Sequence, residues 1–355
     1  MRAGVARIGA LARAAAVVLM TIPLAGGTAR AGFENAGTTA ANFLSLGSGA
    51  RTLAMGGAIL GLGGDPDGAA WNPAALGWMD GTEVVLSHAG LQDGSLQESG
   101  AIGGRIGHSP SRWAVSGLYQ GDRSLDGRDA AGASTGSFAV SSMALGAALA
   151  QKFGSRASLG VTAKAVREDI ANVSGSGVTF DAGLMVRAGR FGLGAAAQNL
   201  GGRMAYGASS HPFPTSYGVG LGFSHPTANL RFALDANFPS AYHPDLRAGA
   251  EWLHRGVIAL RAGYRKELGS IEDPLDGPSF GLGVSHRGMW LDYGYLLSNG
   301  GGGQHRMGLR LRLAGSAAGV GAVGQASGPA KPEPSGEFDW ARDGARLGPG
   351  KPSKP

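Results

Sequence analysis

Apolar and polar positions alternate along most of the chain, from about residue 82 to residue 313. Over residues 230–236, leucine, phenylalanine, leucine and alanine occupy one face, while arginine, alanine and aspartate occupy the other. The same division recurs over residues 178–187, 258–265 and 306–313. A period of two is the pattern of a β-strand, whereas an amphipathic helix repeats its apolar positions every three to four residues. The sequence therefore predicts an all-β fold whose strands each have an apolar face and a charged face.

Fourteen segments fit this pattern, and an even strand number is typical of single-chain bacterial barrels. They are residues 82–90, 97–107, 112–120, 138–151, 156–168, 177–189, 191–200, 215–225, 228–237, 245–253, 256–265, 279–287, 289–298 and 304–313. Longer connections alternate with tight turns. The longer connections are residues 121–137, 169–176, 201–214, 238–244, 266–278 and 299–303, and the tight turns include residues 107–110, 189–190 and 254–255. Outer-membrane barrels combine short periplasmic turns with longer outer loops, so the spacing predicts a 14-stranded antiparallel transmembrane β-barrel.

Two environments could explain the apolar face of these strands. In a soluble β-sandwich it points into the core and the charged face meets water. In a membrane barrel lipid covers the apolar face and the charged face lines the lumen. The strand count and the loop lengths favour the barrel, and a non-transporting structural surface β protein is the alternative. Aromatic residues near the strand ends fit the interfacial girdles of a membrane barrel: Tyr242, Trp252, Tyr264, Trp290, Tyr293 and Tyr295.

Both ends of the chain differ from the alternating region. Residues 1–31 read as a signal peptide, because three arginines precede a short apolar stretch and Ala29-Arg30-Ala31 fits a small-x-small cleavage site. Residues 32–81 precede the barrel region 82–313 and are rich in glycine, which suits a plug, or hatch, folded inside a lumen. Residues 314–355 consist largely of Gly, Ala, Pro, Ser and Lys, and we expect them to form a disordered periplasmic tail.

Composition excludes several classes of function. Glycine accounts for 65 of the 355 residues and charged residues for only 16%. Removing the four arginines of the leader from the formal charge of +6 leaves about +2, so nucleic acid is not an expected partner. The chain has no cysteine, which excludes thiolate metal sites and cysteine nucleophiles.

Candidate catalytic and metal-binding groups do not form a recognisable set. The eight histidines lack metal-ligand spacing, and no serine lies in a Gly-x-Ser-x-Gly elbow. We therefore predict neither an enzyme nor a cofactor or metal site. His305 is expected to make a structural hydrogen bond. The remaining candidates are the charged residues on the inferred lumenal face: Lys164, Asp181, Arg231, Asp235, Arg247, Glu251, Arg261, Arg265 and Asp292. They could pair with one another, which would stiffen the barrel and hold the plug, or they could act in selectivity.

An ordered set of motifs resembles a known family over about residues 37–313. The set comprises Gly49-Ala50-Arg51 with Ala54-Met55-Gly56-Gly57-Ala58, Trp71-Asn72-Pro73-Ala74, Gln198-Asn199-Leu200-Gly201-Gly202, Arg261-Ala262-Gly263-Tyr264-Arg265, and Leu291-Asp292-Tyr293-Gly294-Tyr295 before His305-Arg306. It resembles the PorV/PorQ-type outer-membrane proteins, within the superfamily of the long-chain fatty-acid transporter FadL.

This resemblance implies a fourteen-stranded barrel closed by an N-terminal hatch, inserted into outer-membrane lipid by the barrel-assembly machinery. Asn72, Pro73 and Ala74 match the Asn-Pro-Ala of that hatch, where together with Trp71 they would shape the plug. The resemblance implies either docking of secreted cargo proteins, as in type IX secretion, or, as the alternative, a FadL-like channel for hydrophobic small molecules. The chain departs from common barrels because 42 residues follow Leu313, so insertion would use an internal signal or the tail would have its own role.

Overall fold

A computed structural model describes residues 37–91, 93–122, 125–269, 275–298 and 302–313. The predicted signal peptide, the first five residues of the predicted plug and the predicted tail lie outside these ranges.

The described residues form eighteen strands. Their bounds are β1 Glu83–Gly90, β2 Leu96–Arg105, β3 Ser111–Gly121, β4 Leu125–Arg128, β5 Ser134–Phe138, β6 Val140–Phe153, β7 Ala157–Ile170, β8 Val173–Ala188, β9 Phe191–Leu200, β10 Arg203–Tyr206, β11 Ser209–Pro212, β12 Ser216–His225, β13 Leu230–Pro239, β14 Asp245–His254, β15 Ile258–Glu267, β16 Gly277–His286, β17 Met289–Ser298 and β18 Gly302–Arg312.

Fourteen of these strands close into one antiparallel barrel. Each pairs with the next barrel strand along the chain, and β1 pairs with β18 to complete the circle. The other four form two hairpins, β4–β5 and β10–β11, which lie in long connections. All fourteen predicted strands are present with bounds shifted by a few residues, and the predicted barrel is confirmed.

Side chains on the two faces of the barrel wall differ sharply in exposure. On β13, the outward-facing Leu234 is 59% exposed, while the inward-facing Asp235 is 4% exposed. The same alternation appears on β8, where Phe180 points outward and Asp181 is buried. A single closed sheet has no second sheet to cover its outer apolar face, so the sandwich interpretation of these strands is wrong.

Two details of the sequence interpretation need correction. Residues 169–176 do not form a long loop: β7 continues to Ile170 and β8 begins at Val173. Ala171 adopts a left-handed conformation (φ 52°), as a tight hairpin turn requires. Trp290 does not belong to an outer girdle, because it faces the lumen, where the guanidinium of Arg310 lies 5.4 Å from its ring centroid.

The described part of the plug, residues 37–81, lies inside the barrel. It contains three 3-10 helices, Asn42–Leu46, Asp67–Ala70 and Pro73–Trp78, and one short α-helix, α1, Ala50–Ala54. The first helix lies near the barrel end that carries the longer connections, which we call the loop end, and the last lies near the opposite, turn end. None of the described helices combines the length and apolarity needed to cross a bilayer.

Glycines on the inner wall allow the plug backbone to approach the strands closely. A Cβ added at Gly194 of β9 would lie 1.9 Å from the carbonyl oxygen of Leu60, and one at Gly263 of β15 would lie 2.1 Å from the amide nitrogen of Gly56. Neither distance is compatible with a side chain. The high glycine content of the chain is therefore explained in part by contact between wall and plug.

Candidate functional site

Asn72 joins two segments of the plug to the barrel wall. Its side-chain oxygen accepts a hydrogen bond from the backbone nitrogen of Ala74 at 3.0 Å and so caps the helix that starts at Pro73. Its amide nitrogen donates to the carbonyl oxygens of Leu60, at 3.3 Å, and of Leu184 on β8, at 3.2 Å. A side chain that both caps and bridges in this way needs an amide, since a carboxylate has no donor to offer the two carbonyls.

Trp71 fixes the fold of the plug upstream of Asn72. Its indole nitrogen donates to the carbonyl oxygen of Ser48 at 3.4 Å, and its ring covers Gly47, where a Cβ would lie 2.0 Å from the ring. On the wall side, the guanidinium of Arg247 lies 5.4 Å from the centroid of the Trp71 ring. These contacts give the Trp-Asn-Pro-Ala motif a structural position within the plug.

A buried ionic network attaches the plug to strands β13–β15. Glu251 on β14 accepts hydrogen bonds from Arg51 of α1 at 2.9 and 3.2 Å. The same carboxylate also accepts from Arg231 at 2.8 Å and from Arg261 at 2.7 Å. Three guanidinium groups thus converge on one buried carboxylate.

The network extends in both directions from Glu251. Arg51 also pairs with Asp65 of the plug at 2.9 Å, and Arg261 pairs with Asp292 on β17 at 2.6 Å. Burial lowers the pKa of Arg51, but the negative charges of Glu251 and Asp65 raise it by more. The pKa of Arg51 therefore lies above its ordinary value, and its guanidinium stays charged. The alternation along the strands predicts the wall residues of this network but not Arg51 and Asp65, because these two lie in the irregular segment before the strands.

The other predicted lumenal charges also have partners. Asp235 accepts from the backbone nitrogens of Ile59 and Leu60 in the plug, at 2.7 and 2.9 Å. Lys164 pairs with Asp181 at 2.7 Å, next to an irregularity in the β8–β9 pairing.

Asp245 at the start of β14 forms ion pairs with two arginines. It pairs with Arg247 at 2.6 Å and with Arg265 at 3.5 Å. Each wall charge singled out from the sequence therefore lies on the inner face within reach of an opposite charge or a backbone donor.

The two faces of the plug differ in what they contact. The face that carries α1 and Asp65, which we call the anchored face, meets the ionic network and the wall glycines of β14–β18. The opposite face, which we call the cleft face, carries Ser48, Asp67, Ala69 and Ala70 and borders a narrow space of about 70 Å³. Small side chains on β2, β3 and β6 line much of the wall of this cleft: Ala101, Ala114, Ser116, Ala144, Gly146 and Ala148.

Asp67 is the acidic group of the cleft face. Its Oδ1 accepts a hydrogen bond from the Ser48 hydroxyl at 2.6 Å. Burial and the neighbouring Asp65 raise the pKa of Asp67 to about 6. Lys164 and Asp181 also border the cleft, as an ion pair, so the cleft combines small neutral side chains with a few polar groups.

An apolar cluster closes the cleft toward the turn end. Ala69, Leu76 and Met79 of the plug pack against the wall alanines Ala114, Ala148 and Ala150. Arg112 on β3 donates from Nε to the carbonyl oxygen of Met79 at 2.6 Å and holds the end of the plug in place. A molecule in the cleft would have to displace this cluster to reach the turn end.

At the loop end, a larger cavity of about 660 Å³ lies above the first helix of the plug. Apolar side chains form much of its lining: Phe43, Leu46, Leu91, Tyr242, Leu275 and Leu296. Polar atoms enter it from Gln120, Arg265 and Gln304 on the wall strands. We call this space the loop-end cavity. Its residues come from elements far apart in the sequence, which is why the sequence did not identify it.

Histidines do not form a site among the described residues. His305 shares a hydrogen bond of 2.6 Å with the hydroxyl of Tyr293, and His88 lies 2.5 Å from Glu98. Across the described ranges, no group of three or more His, Asp or Glu side chains is placed to hold a metal ion.

No protein-family model matches the chain, and no curated protein matches it in sequence. Solved structures do match its fold. The Ralstonia pickettii toluene transporter TbuX has a TM-score of 0.55 and 14% identity, covering 75% of this chain and 98% of its own. The monoaromatic hydrocarbon channel CymD has a TM-score of 0.55 and 13% identity, covering 75% and 97%. A Pseudomonas aeruginosa FadL homologue has a TM-score of 0.52 and 12% identity, covering 74% and 97%.

The chain therefore shares the barrel fold of these proteins, one of which is a FadL homologue, and the fold that the sequence resemblance implied is confirmed. At these identities the likeness concerns the fold alone. The finer resemblance to PorV/PorQ-type proteins has no counterpart among these matches.

Proposed function

We propose that this protein is an outer-membrane channel for hydrophobic small molecules, and not an enzyme. The observation that carries the proposal is the arrangement of the lumen, in which an apolar loop-end cavity lies above a plug that is anchored on one face and borders a cleft on the other. The apolar outer face of the barrel suits contact with lipid. The solved barrels of the same fold include a toluene transporter and a monoaromatic hydrocarbon channel.

The cleft offers a route past the plug. Molecules would enter the loop-end cavity from the outer side of the membrane, pass the helix Asn42–Leu46 and continue between the cleft face and the wall strands β2, β3, β6 and β7. Displacing apolar contacts among alanines, Leu76 and Met79 is less costly than separating buried ion pairs. The anchored face would therefore stay in place while the cleft widens.

Docking of secreted cargo, the role implied by the PorV/PorQ resemblance, stays a prediction. Among the described residues, neither the lumen nor the hairpins β4–β5 and β10–β11 present a feature that favours it.

A pair of tryptophan substitutions on β3 tests the proposed route. Ser116 lines the cleft, while its neighbour Val115 is 50% exposed on the outer face of the barrel. We expect Ser116→Trp to fill the cleft and reduce uptake of radiolabelled p-xylene and p-cresol to the level of cells without the protein. Val115→Trp is the matched control and should leave uptake unchanged.

Fractionation with the outer membrane and a shift between unboiled and boiled samples on a gel would establish that both variants form barrels. Equal uptake by both variants would contradict the cleft route. Uptake by the unmodified protein no faster than by cells lacking it would contradict the channel itself.

A further inference from the structure

We propose that the loop-end cavity selects neutral, largely apolar molecules that carry a single hydrogen-bonding oxygen, such as phenols or alcohols. The inference rests on the proposed channel function and goes further, since it states which hydrophobic molecules the cavity prefers. Three properties of the cavity lead to it: its apolar surface, the pairing of its charges, and two side-chain amides that each have one atom without a partner among the described residues.

The apolar surface sets the main character of the ligand. Phe43 and Leu46 of the plug form one side of the cavity, and Leu91 and Leu296 contribute to the wall. At about 660 Å³ the cavity is large enough for a single-ring aromatic molecule, and apolar surface of this kind binds by removing ligand from water.

The charged groups at the cavity already have ion-pair or hydrogen-bond partners within the protein. Arg265 has Asp245 as its carboxylate partner at 3.5 Å. The Asp93 carboxylate accepts hydrogen bonds from the backbone nitrogen and the hydroxyl of Ser95, at 2.9 and 2.6 Å. A carboxylate ligand would lie near the like charge of Asp93, and it would have to compete with Asp245 for Arg265.

Two glutamines on the wall each have one amide atom without a hydrogen-bond partner among the described residues. Gln304 of β18 is 6% exposed, and its Nε2 has no partner among the described residues. The Oε1 of Gln120 on β3 likewise has none there. Both side chains contribute to the cavity lining, and rotation about the broad terminal torsion of glutamine can turn either amide toward a ligand.

An unpaired buried amide is unfavourable, and a ligand oxygen relieves that cost. A hydroxyl or carbonyl oxygen accepts from Nε2 of Gln304, and a hydroxyl can also donate to Oε1 of Gln120. A pure hydrocarbon fills the same apolar space but leaves Nε2 of Gln304 and Oε1 of Gln120 without the partner that they lack among the described residues. The preference for an oxygen-bearing molecule follows from this difference.

Three ligands of nearly the same shape separate the possibilities: p-xylene, p-cresol and p-toluate, in which one methyl group of p-xylene is replaced by a hydroxyl or a carboxylate. Their binding to the full-length protein in lipid nanodiscs would be measured by calorimetry. We expect p-cresol to bind about tenfold more tightly than p-xylene, with p-toluate the weakest. Gln304→Leu should reduce the preference for p-cresol and leave the affinity for p-xylene unchanged.

Gln151→Leu is the matched control, because Gln151 on β6 lies at the turn end and already accepts from Ser111 at 2.6 Å. Equal binding of p-xylene and p-cresol, tightest binding of p-toluate, or an unaltered preference in Gln304→Leu would overturn the inference while leaving the channel proposal intact. Failure of all three ligands to bind the unmodified protein would overturn both.

Discussion

The two faces of the plug meet the same barrel in opposite ways. On the anchored face, Arg51 and Asp65 join a network in which Glu251 also binds Arg231 and Arg261. On the cleft face, the neighbouring wall side chains are mostly alanine, glycine and serine. One face is held by buried ion pairs, and the other by single hydrogen bonds and small apolar contacts around a gap.

This difference indicates which face of the plug would move in the proposed channel. Separating one partner from a buried ion pair costs roughly 3–5 kcal/mol, whereas small apolar contacts are lost in smaller steps. The wall glycines strengthen the contrast, because they let α1 lie directly on β16 and β17. Motion of the plug should therefore concern the cleft face.

The largest effect is expected from neutralising the centre of the network. Glu251→Gln removes the shared charge of Arg51, Arg231 and Arg261 and leaves three buried cations near one another. Breaking such a buried network costs roughly 3–5 kcal/mol, so thermal unfolding followed by circular dichroism should show a clear fall in Tm. Glu98→Gln is the control, since Glu98 lies on the outer face and pairs with the exposed His88. Equal shifts in Tm for the two variants would mean that the anchored face is not held by its charges.

A smaller, pH-dependent effect is expected on the cleft face. The pKa of Asp67 is raised by burial to about 6 from an ordinary value of 3.8, so its charged form is disfavoured in the folded protein. The stability that this carboxyl contributes when protonated is present below pH 4 and is lost as the pH rises through about 6. Asp67→Asn should therefore raise Tm at pH 7.5 but not at pH 4.

Asp126→Asn, on the exposed hairpin strand β4, is the control for the general effect of removing a carboxylate. If Asp67→Asn lowered Tm at pH 7.5, the charge of Asp67 would be contributing to the fold instead of opposing it. The cleft face would then also be held by electrostatics, and the contrast between the faces would weaken.

The barrel could be predicted because its rule is local. On β13 and β18 successive residues alternate between the outer face of the barrel and the lumen, and that period is visible in the sequence alone. Even the strand bounds were close, since turn residues such as those at 189–190 interrupt the pattern. The loop expected at 169–176 was wrong because polar residues there continue the strands beyond the apolar region instead of ending them.

The lumen could be predicted only in part. Inward-facing wall charges follow from the alternation, but their partners do not: Arg51 and Glu251 are separated by 200 positions. The cleft and the loop-end cavity depend on how the irregular plug crosses the barrel, and no periodic signal encodes that path. The Trp-Asn-Pro-Ala motif marked the plug, while Asp67 and Gln304 became distinctive only through burial among distant residues.

A disulfide across the anchored face tests the central claim most directly. A Cβ built at Gly308 of β18 lies 3.3 Å from the Cβ of Ala50 in α1, close to the separation found in disulfides, and the chain has no other cysteine to interfere. The variant carrying Ala50→Cys and Gly308→Cys would be compared for p-cresol uptake in its oxidised and reduced forms. We predict equal uptake, because the anchored face stays in place during transport. Uptake that is abolished by oxidation and restored by reduction would contradict the account, since it would show that the plug must leave the wall at α1.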